Sequence, residues 1–140
     1  TIEFITIAST GNASDFGDLT TPVTGVRGLG SPTRGVFAGG TAPGPAATNI
    51  IDFITIASTG DATDFGDLFE HVYNVGAMAS ETRAVFVGAY QLSPYSQGYK
   101  NIIQFCTIQT TGNGLDFGDM LVNRGQYDGS TSDCHGGLSE

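Results

Sequence analysis

From Ile51 to Leu68 the chain reads Ile-Asp-Phe-Ile-Thr-Ile-Ala-Ser-Thr-Gly-Asp-Ala-Thr-Asp-Phe-Gly-Asp-Leu. Residues Phe53 to Thr59 are rich in β-branched and aromatic types, which suit a pleated surface. Alternation is incomplete. Phe53 and Thr55 fall on one side and Ile54 and Ile56 on the other, so both sides carry apolar groups, as in a strand covered on both faces. Gly60-Asp61-Ala62-Thr63 has turn composition. Asp64 to Leu68 then predicts the returning strand of a hairpin.

The same phrase occurs three times. Phe4, Phe53 and Phe105 hold equivalent places, 49 and then 52 residues apart, and Asp15-Phe16-Gly17-Asp18 returns as Asp64 to Asp67 and Asp116 to Asp119. A second block keeps the register: Ser31-Pro32-Thr33-Arg34-Gly35-Val36-Phe37, Ser80-Glu81-Thr82-Arg83-Ala84-Val85-Phe86, and a degraded version around His135. Self-similarity at that period marks a repeat architecture. The units are 1–49, 50–101 and 102–140. Each predicts a third, weaker strand near Gly28-Leu29-Gly30 or Gly76-Ala77-Met78, and a fourth over Thr33 to Gly39 or Thr82 to Gly88. Loops are expected over Gly40 to Asn49 and over Ala89 to Asn101. No window carries a helical period. The fold class is therefore all-β, one domain of three tandem four-stranded repeats.

Composition narrows the function. Net charge is −9 with only five Lys and Arg, which opposes phosphate recognition and anionic membranes. No apolar run is long enough for a membrane span, and no signal peptide is visible. Glycine, 21 of 140 residues, is about twice its average usage of roughly 7%, so tight turns and close backbone approach are expected. Opening on Thr1 in mid-unit, the chain reads as trimmed from a longer array. Cys106 and Cys134 read as free thiols in small apolar places, with a disulfide as the alternative.

Four strands in about 50 residues with Gly39-Gly40 after one of them resemble a kelch-type propeller blade. The wording Phe-Ile-Thr-Ile-Ala-Ser-Thr-Gly-Asn-Ala-Ser-Asp-Phe-Gly-Asp-Leu, followed by Ser-Pro-Thr-Arg-Gly-Val-Phe-Ala-Gly-Gly, is similar to virion-associated, tail-fibre-like repeat proteins of marine phages, cyanophages especially. That resemblance implies a virion or extracellular location and a non-enzymatic part of a particle, a tail, fibre or capsid-surface component that contacts the host surface. It implies other virion proteins or copies of itself as partners, and a homo-oligomer. Three blades are fewer than the four to eight of an ordinary propeller, so a three-fold closed β-trefoil or β-prism stands as the alternative fold.

Candidate chemistry is sparse. Asp61, Asp64 and Asp67, repeated as Asn12, Asp15, Asp18 and as Asn113, Asp116, Asp119, offer oxygen ligands for calcium, but without EF-hand spacing; turns and caps are the simpler reading, and no metal or cofactor is expected. Arg34 and Arg83 stand at one matched position among few basic residues, and structural ion pairs with Asp18 and Asp67 are expected to tie strand pairs together. His135 takes that place in the third unit. Asp-Phe-Gly lacks the rest of a kinase signature, and His71 and His135 form no catalytic constellation. Tyr90, Tyr95 and Tyr99 cluster in the longest expected loop, as a surface for a partner or for a host-surface glycan. A lectin-like carbohydrate-binding domain is the alternative function; an enzyme such as a propeller oxidase or glycosidase is the weakest reading.

Overall fold

The computed structural model describes residues 1–44, 46–92, 94, 97–124 and, for the backbone, 130–132. Cys134, His135 and Tyr95 lie outside the described residues. Eleven strands and no helix are found among those described. They are β1 (Ile2–Phe4), β2 (Ser14–Gly17), β3 (Arg27–Gly30), β4 (Arg34–Ala38), β5 (Ile50–Thr55), β6 (Thr63–Asp67), β7 (Gly76–Ala79), β8 (Arg83–Gln91), β9 (Gly98–Thr107), β10 (Leu115–Arg124) and β11 (Ser130–Ser132).

The sheets are offset from the sequence repeat by half a unit. β3 and β4, from the end of the first unit, pair with β5 and β6 from the start of the second in an antiparallel order β3-β4-β5-β6. β7 to β10 do the same across the second and third units, and β11 adds to the free side of β7 in parallel. β1 and β2 form a two-stranded hairpin alone. β3, β7 and β11, which overlap in repeat position, lie against one another, so the sheets converge on their first strands.

Each local phrase has a physical task. Ser31 Oγ accepts the Arg34 N–H at 3.1 Å, and Ser80 Oγ accepts that of Arg83 at 3.1 Å. The Ser-x-Thr-Arg phrase is thus the side-chain-closed turn between the third and fourth strands of a unit. In each repeat the two phenylalanines meet edge to face: Phe4–Phe16 at 6.0 Å, Phe53–Phe65 at 5.8 Å and Phe105–Phe117 at 5.8 Å between centroids. The main core lies between the two larger sheets and holds Val36, Ile51, Phe65, Val72, Phe86, Cys106 and Ile108.

Two expectations shift. The strand expected over Phe53 to Thr59 instead covers Ile50–Thr55, and a turn closed by the Ser58 N–H to Thr55 carbonyl bond follows. The loop expected over Ala89 to Asn101 shrinks, because β8 runs on to Gln91 and β9 starts at Gly98, with Ala89, Tyr90 and Gln91 opposite Lys100, Tyr99 and Gly98. Alternating side chains that can pair across the hairpin hold the two arms together beyond the sheet proper.

Phe86 is fully buried and Phe69 is 67% exposed. Phe86→Ala should therefore lower unfolding stability by about 3–5 kcal/mol, and Phe69→Ala by less than about 1 kcal/mol, as read by chemical denaturation followed by circular dichroism.

Candidate functional site

Two features stand out beyond the sheets: a seam that recurs between units, and a row of tyrosines on the longest hairpin. The seam is built by the Asp-Phe-Gly-Asp strand of one unit and the Gly-Asx turn of the next. At the first seam, the Gly60 N–H donates to the Phe16 carbonyl at 2.7 Å and the Ala62 N–H to the Asp18 carbonyl at 2.8 Å. Asp61 Oδ1 in turn accepts the Asp18 N–H at 2.9 Å. The second seam repeats all three bonds, from Gly112 to Phe65 at 2.8 Å, from Gly114 to Asp67 at 2.7 Å, and from the Asp67 N–H to Asn113 Oδ1 at 3.1 Å.

Glycine is required where the two backbones touch. Gly66 has φ of 143°, and a Cβ there would sit 2.7 Å from the Gly112 carbonyl; Gly17, at φ of 150°, meets Gly60 in the same way. No side chain fits either the conformation or the space.

A buried polar residue adds a further bond to each seam. Asp52, 3% exposed, accepts the Thr20 N–H at 3.0 Å and its hydroxyl at 2.7 Å. At the next seam Gln104, 1% exposed, accepts the Phe69 N–H at 2.7 Å through Oε1. Buried carboxylate and amide oxygens of this kind need such donors. The sequence reading passed over them. Their signal was a polar residue at one matched position, Glu3, Asp52 and Gln104, inside an otherwise apolar strand.

The predicted arginine–aspartate pairs are not formed. Arg34 Nη1 donates instead to the Ile108 carbonyl at 2.8 Å, and its guanidinium lies 4.4 Å from the Phe53 ring centroid. Arg83 lies 4.9 Å from the Phe105 ring. Asp18 pairs with the Thr1 ammonium at 3.1 Å, and the hydrogen bond to that ammonium holds its carboxyl below the usual range. The reason is geometric: the arginine side chains lie along the hairpin face toward the aromatic rings, while the Asp18 and Asp67 backbones are engaged by the neighbouring turn. Arg34 still joins neighbouring sheets, as expected, but through a carbonyl. Arg27 makes a similar link, from Nε to the Val75 carbonyl at 3.1 Å.

The acidic triplets separate into different tasks. Asp61 and Asn113 bridge the seams, while Asp64 and Asp116 accept the Gly66 and Gly118 N–H groups two residues on, at 3.2 and 3.1 Å. Among the described residues no group of three or more His, Cys, Asp or Glu is arranged to hold a metal ion.

Two of the three predicted tyrosines are brought together, with a third partner, Tyr73, that the sequence reading did not include. Tyr90 and Tyr99 are directly opposite on β8 and β9, with ring centroids 4.9 Å apart. Tyr73 pairs with Tyr90 through two 3.1 Å backbone bonds, its ring 5.5 Å away. Both ring contacts are edge-to-face, the favoured geometry for aromatic pairs, and Tyr99 remains 48% exposed at the end of the row. Beside it, the buried Gln91 side chain donates to the Glu70 carboxylate.

Cys106 is buried and free, in the core place that the sequence suggested. Burial pushes its thiol up from 9.0 to about 11. Burial likewise lowers the His71 pKa.

No protein-family model matches this chain, and no curated protein matches its sequence.

Gly118 shares the backbone conformation of Gly66, φ of 138°, but a Cβ there meets nothing within 4 Å. Gly66→Ala should therefore cost about 1–3 kcal/mol more than Gly118→Ala, the difference isolating the close approach from the backbone term in parallel urea titrations. Between pH 9 and 11 only the unfolded chain ionises at Cys106, so stability from this group is intact below pH 9 and falls as pH rises. At pH 7.5 iodoacetamide should leave Cys106 unmodified in the native protein and alkylate it after unfolding, as read by peptide mass mapping.

Proposed function

We propose that this chain is a non-enzymatic structural and interaction module of a phage virion, a repeated scaffold that presents a tyrosine-bearing hairpin. The observation that carries this reading is the seam. The most repeated chemistry of the sequence, Asp-Phe-Gly-Asp, Gly-Asx and the matched Asp52 and Gln104, is engaged in joining one unit to the next. Residues spent on identical internal joints serve an array rather than a reaction. The wording of the repeats, similar to tail-fibre-like phage proteins, supplies the particle context. Kelch-like blades suit the two four-stranded antiparallel runs β3 to β6 and β7 to β10; the contacts among β3, β7 and β11 favour a three-fold arrangement instead.

A carbohydrate-binding role is the second reading, and the tyrosine row favours it. An exposed ring edge and face held rigid by its neighbours offers a stacking platform of low entropic cost, and Tyr99 is the accessible member.

Antibody raised against this chain should label purified particles of the phage that encodes it in immunogold microscopy; particles that carry none of the protein would overturn the virion reading. On a glycan array, the carbohydrate reading expects binding by the wild-type chain and at least tenfold weaker binding by Tyr99→Ala with an unchanged circular dichroism spectrum. Equal binding by both proteins would remove Tyr99 from the site.

A further inference from the structure

Asn113-Gly114 is the one Asn-Gly pair in the sequence, and it sits in the second seam. Such a pair carries a chemistry of its own. Asparagine amides are thermally labile, and glycine, having no side chain, gives its own backbone nitrogen the least steric cover. Once deprotonated, that nitrogen can attack the carbonyl carbon of the preceding side chain. The bond from Gly114 N to Asn113 Cγ forms, the Cγ–Nδ2 bond breaks, and the amide leaves as ammonia, taking up a proton. Water then opens the cyclic imide at either carbonyl, which leaves aspartate or isoaspartate. No oxidant, metal or further reagent is needed.

The seam holds both reacting groups. The Gly114 N–H donates to the Asp67 carbonyl at 2.7 Å, and Asn113 Oδ1 accepts the Asp67 N–H at 3.1 Å. Ring closure requires the nitrogen to lose its proton and the carboxamide to turn toward it, so both bonds must break. Asn113 is exposed but Gly114 is buried, so water reaches the amide and not the nucleophile.

The two products differ in what they do to the joint. At the first seam the matched pair is Asp61-Ala62, which makes the same two bonds at 2.9 and 2.8 Å with a carboxylate in place of the amide. Aspartate at position 113 therefore fits. Isoaspartate does not, because it routes the chain through the side chain. That inserts a further carbon between the Gly112 and Gly114 N–H groups, which must meet the Phe65 and Asp67 carbonyls in fixed register.

We propose that Asn113 is a site of spontaneous deamidation that the second seam holds shut, and that its conversion to isoaspartate unlocks that seam irreversibly. Local opening exposes the pair while the rest of the fold stays formed, so the modification records how often the joint opens. The first seam, with aspartate and alanine in these places, has no amide to lose.

Peptide mapping of the wild-type chain, incubated at pH 8 with and without urea, tests the lock. Asn113 should convert at least about tenfold more slowly in the native protein than in the unfolded one, because only the open form reacts. A Cβ at Gly66 would lie 2.9 Å from Asn113 Oδ1 and 2.7 Å from the Gly112 carbonyl. Gly66→Ala should therefore raise the native rate several-fold with its circular dichroism spectrum retained, while Gly118→Ala, whose Cβ meets nothing within 4 Å, should not. Sub-denaturing urea makes the same test without a substitution: conversion of Asn113 and hydrogen exchange at the Gly114 amide should quicken in parallel. The isoaspartate form, separated by ion exchange, should melt below Asn113→Asp, which should melt close to the wild type. Equal rates in native and unfolded protein overturn the proposal. So does a folded Gly66→Ala that converts no faster, a native rate that stays constant while Gly114 exchange quickens, or an isoaspartate form as stable as Asn113→Asp.

Discussion

The structure depends on a backbone-to-backbone contact that only glycine permits. Where Gly17 and Gly66 lie against the next unit's turn, the two chains approach until a single methyl group would collide with a carbonyl. That proximity lets three short hydrogen bonds form in a row at each seam. It also lets a phenylalanine on one side of the contact be sealed from water by a small residue on the other, Phe16 with Ala62 in one cluster. Hydrogen bonds of this sort contribute about 1 kcal/mol each, and buried phenylalanine contributes about 1.5–3 kcal/mol. Neither is large, but both recur together, so the seam is a joint of fixed geometry.

The half-unit offset between sequence repeat and sheet reinforces that joint. Because β4 of the first unit pairs with β5 of the second, and β8 of the second with β9 of the third, no unit can leave the array without breaking a sheet. Each unit is thus bound to its neighbour twice, once along a strand ladder and once across a seam. The two buried polar residues, Asp52 and Gln104, sit where these connections meet, and they set the register because a shifted partner would leave a buried oxygen without a donor. The tyrosine row is carried outward on the hairpin that such a frame makes rigid.

Particular residues show where reading the chain was sufficient and where it was not. The returning strand at Asp64 to Leu68, the weak strands near Gly28 and Gly76, and the turn at Gly60 were legible because turn chemistry and strand composition are local properties. The arginines were assigned the wrong partners. Charge invites a carboxylate, but Arg34 and Arg83 lie over Phe53 and Phe105, a choice set by which face of the hairpin lies beneath them. Asp61 was read as a local turn residue and is instead the acceptor for a residue 43 positions earlier.

Sequence alone determined that this is an all-β chain of three equivalent units, since periodicity and turn residues are written in the order of the amino acids. It also marked the places of the glycines, because their frequency at matched positions is visible without coordinates. Only the tertiary structure decided that the sheets straddle the units, that Gly17 and Gly66 are contact points rather than bends, and that Asp52 and Gln104 are buried acceptors. The physical reason is that these facts concern which distant backbones come within a few ångströms of each other. That distance is set by packing of both faces at once, and no local pattern encodes it.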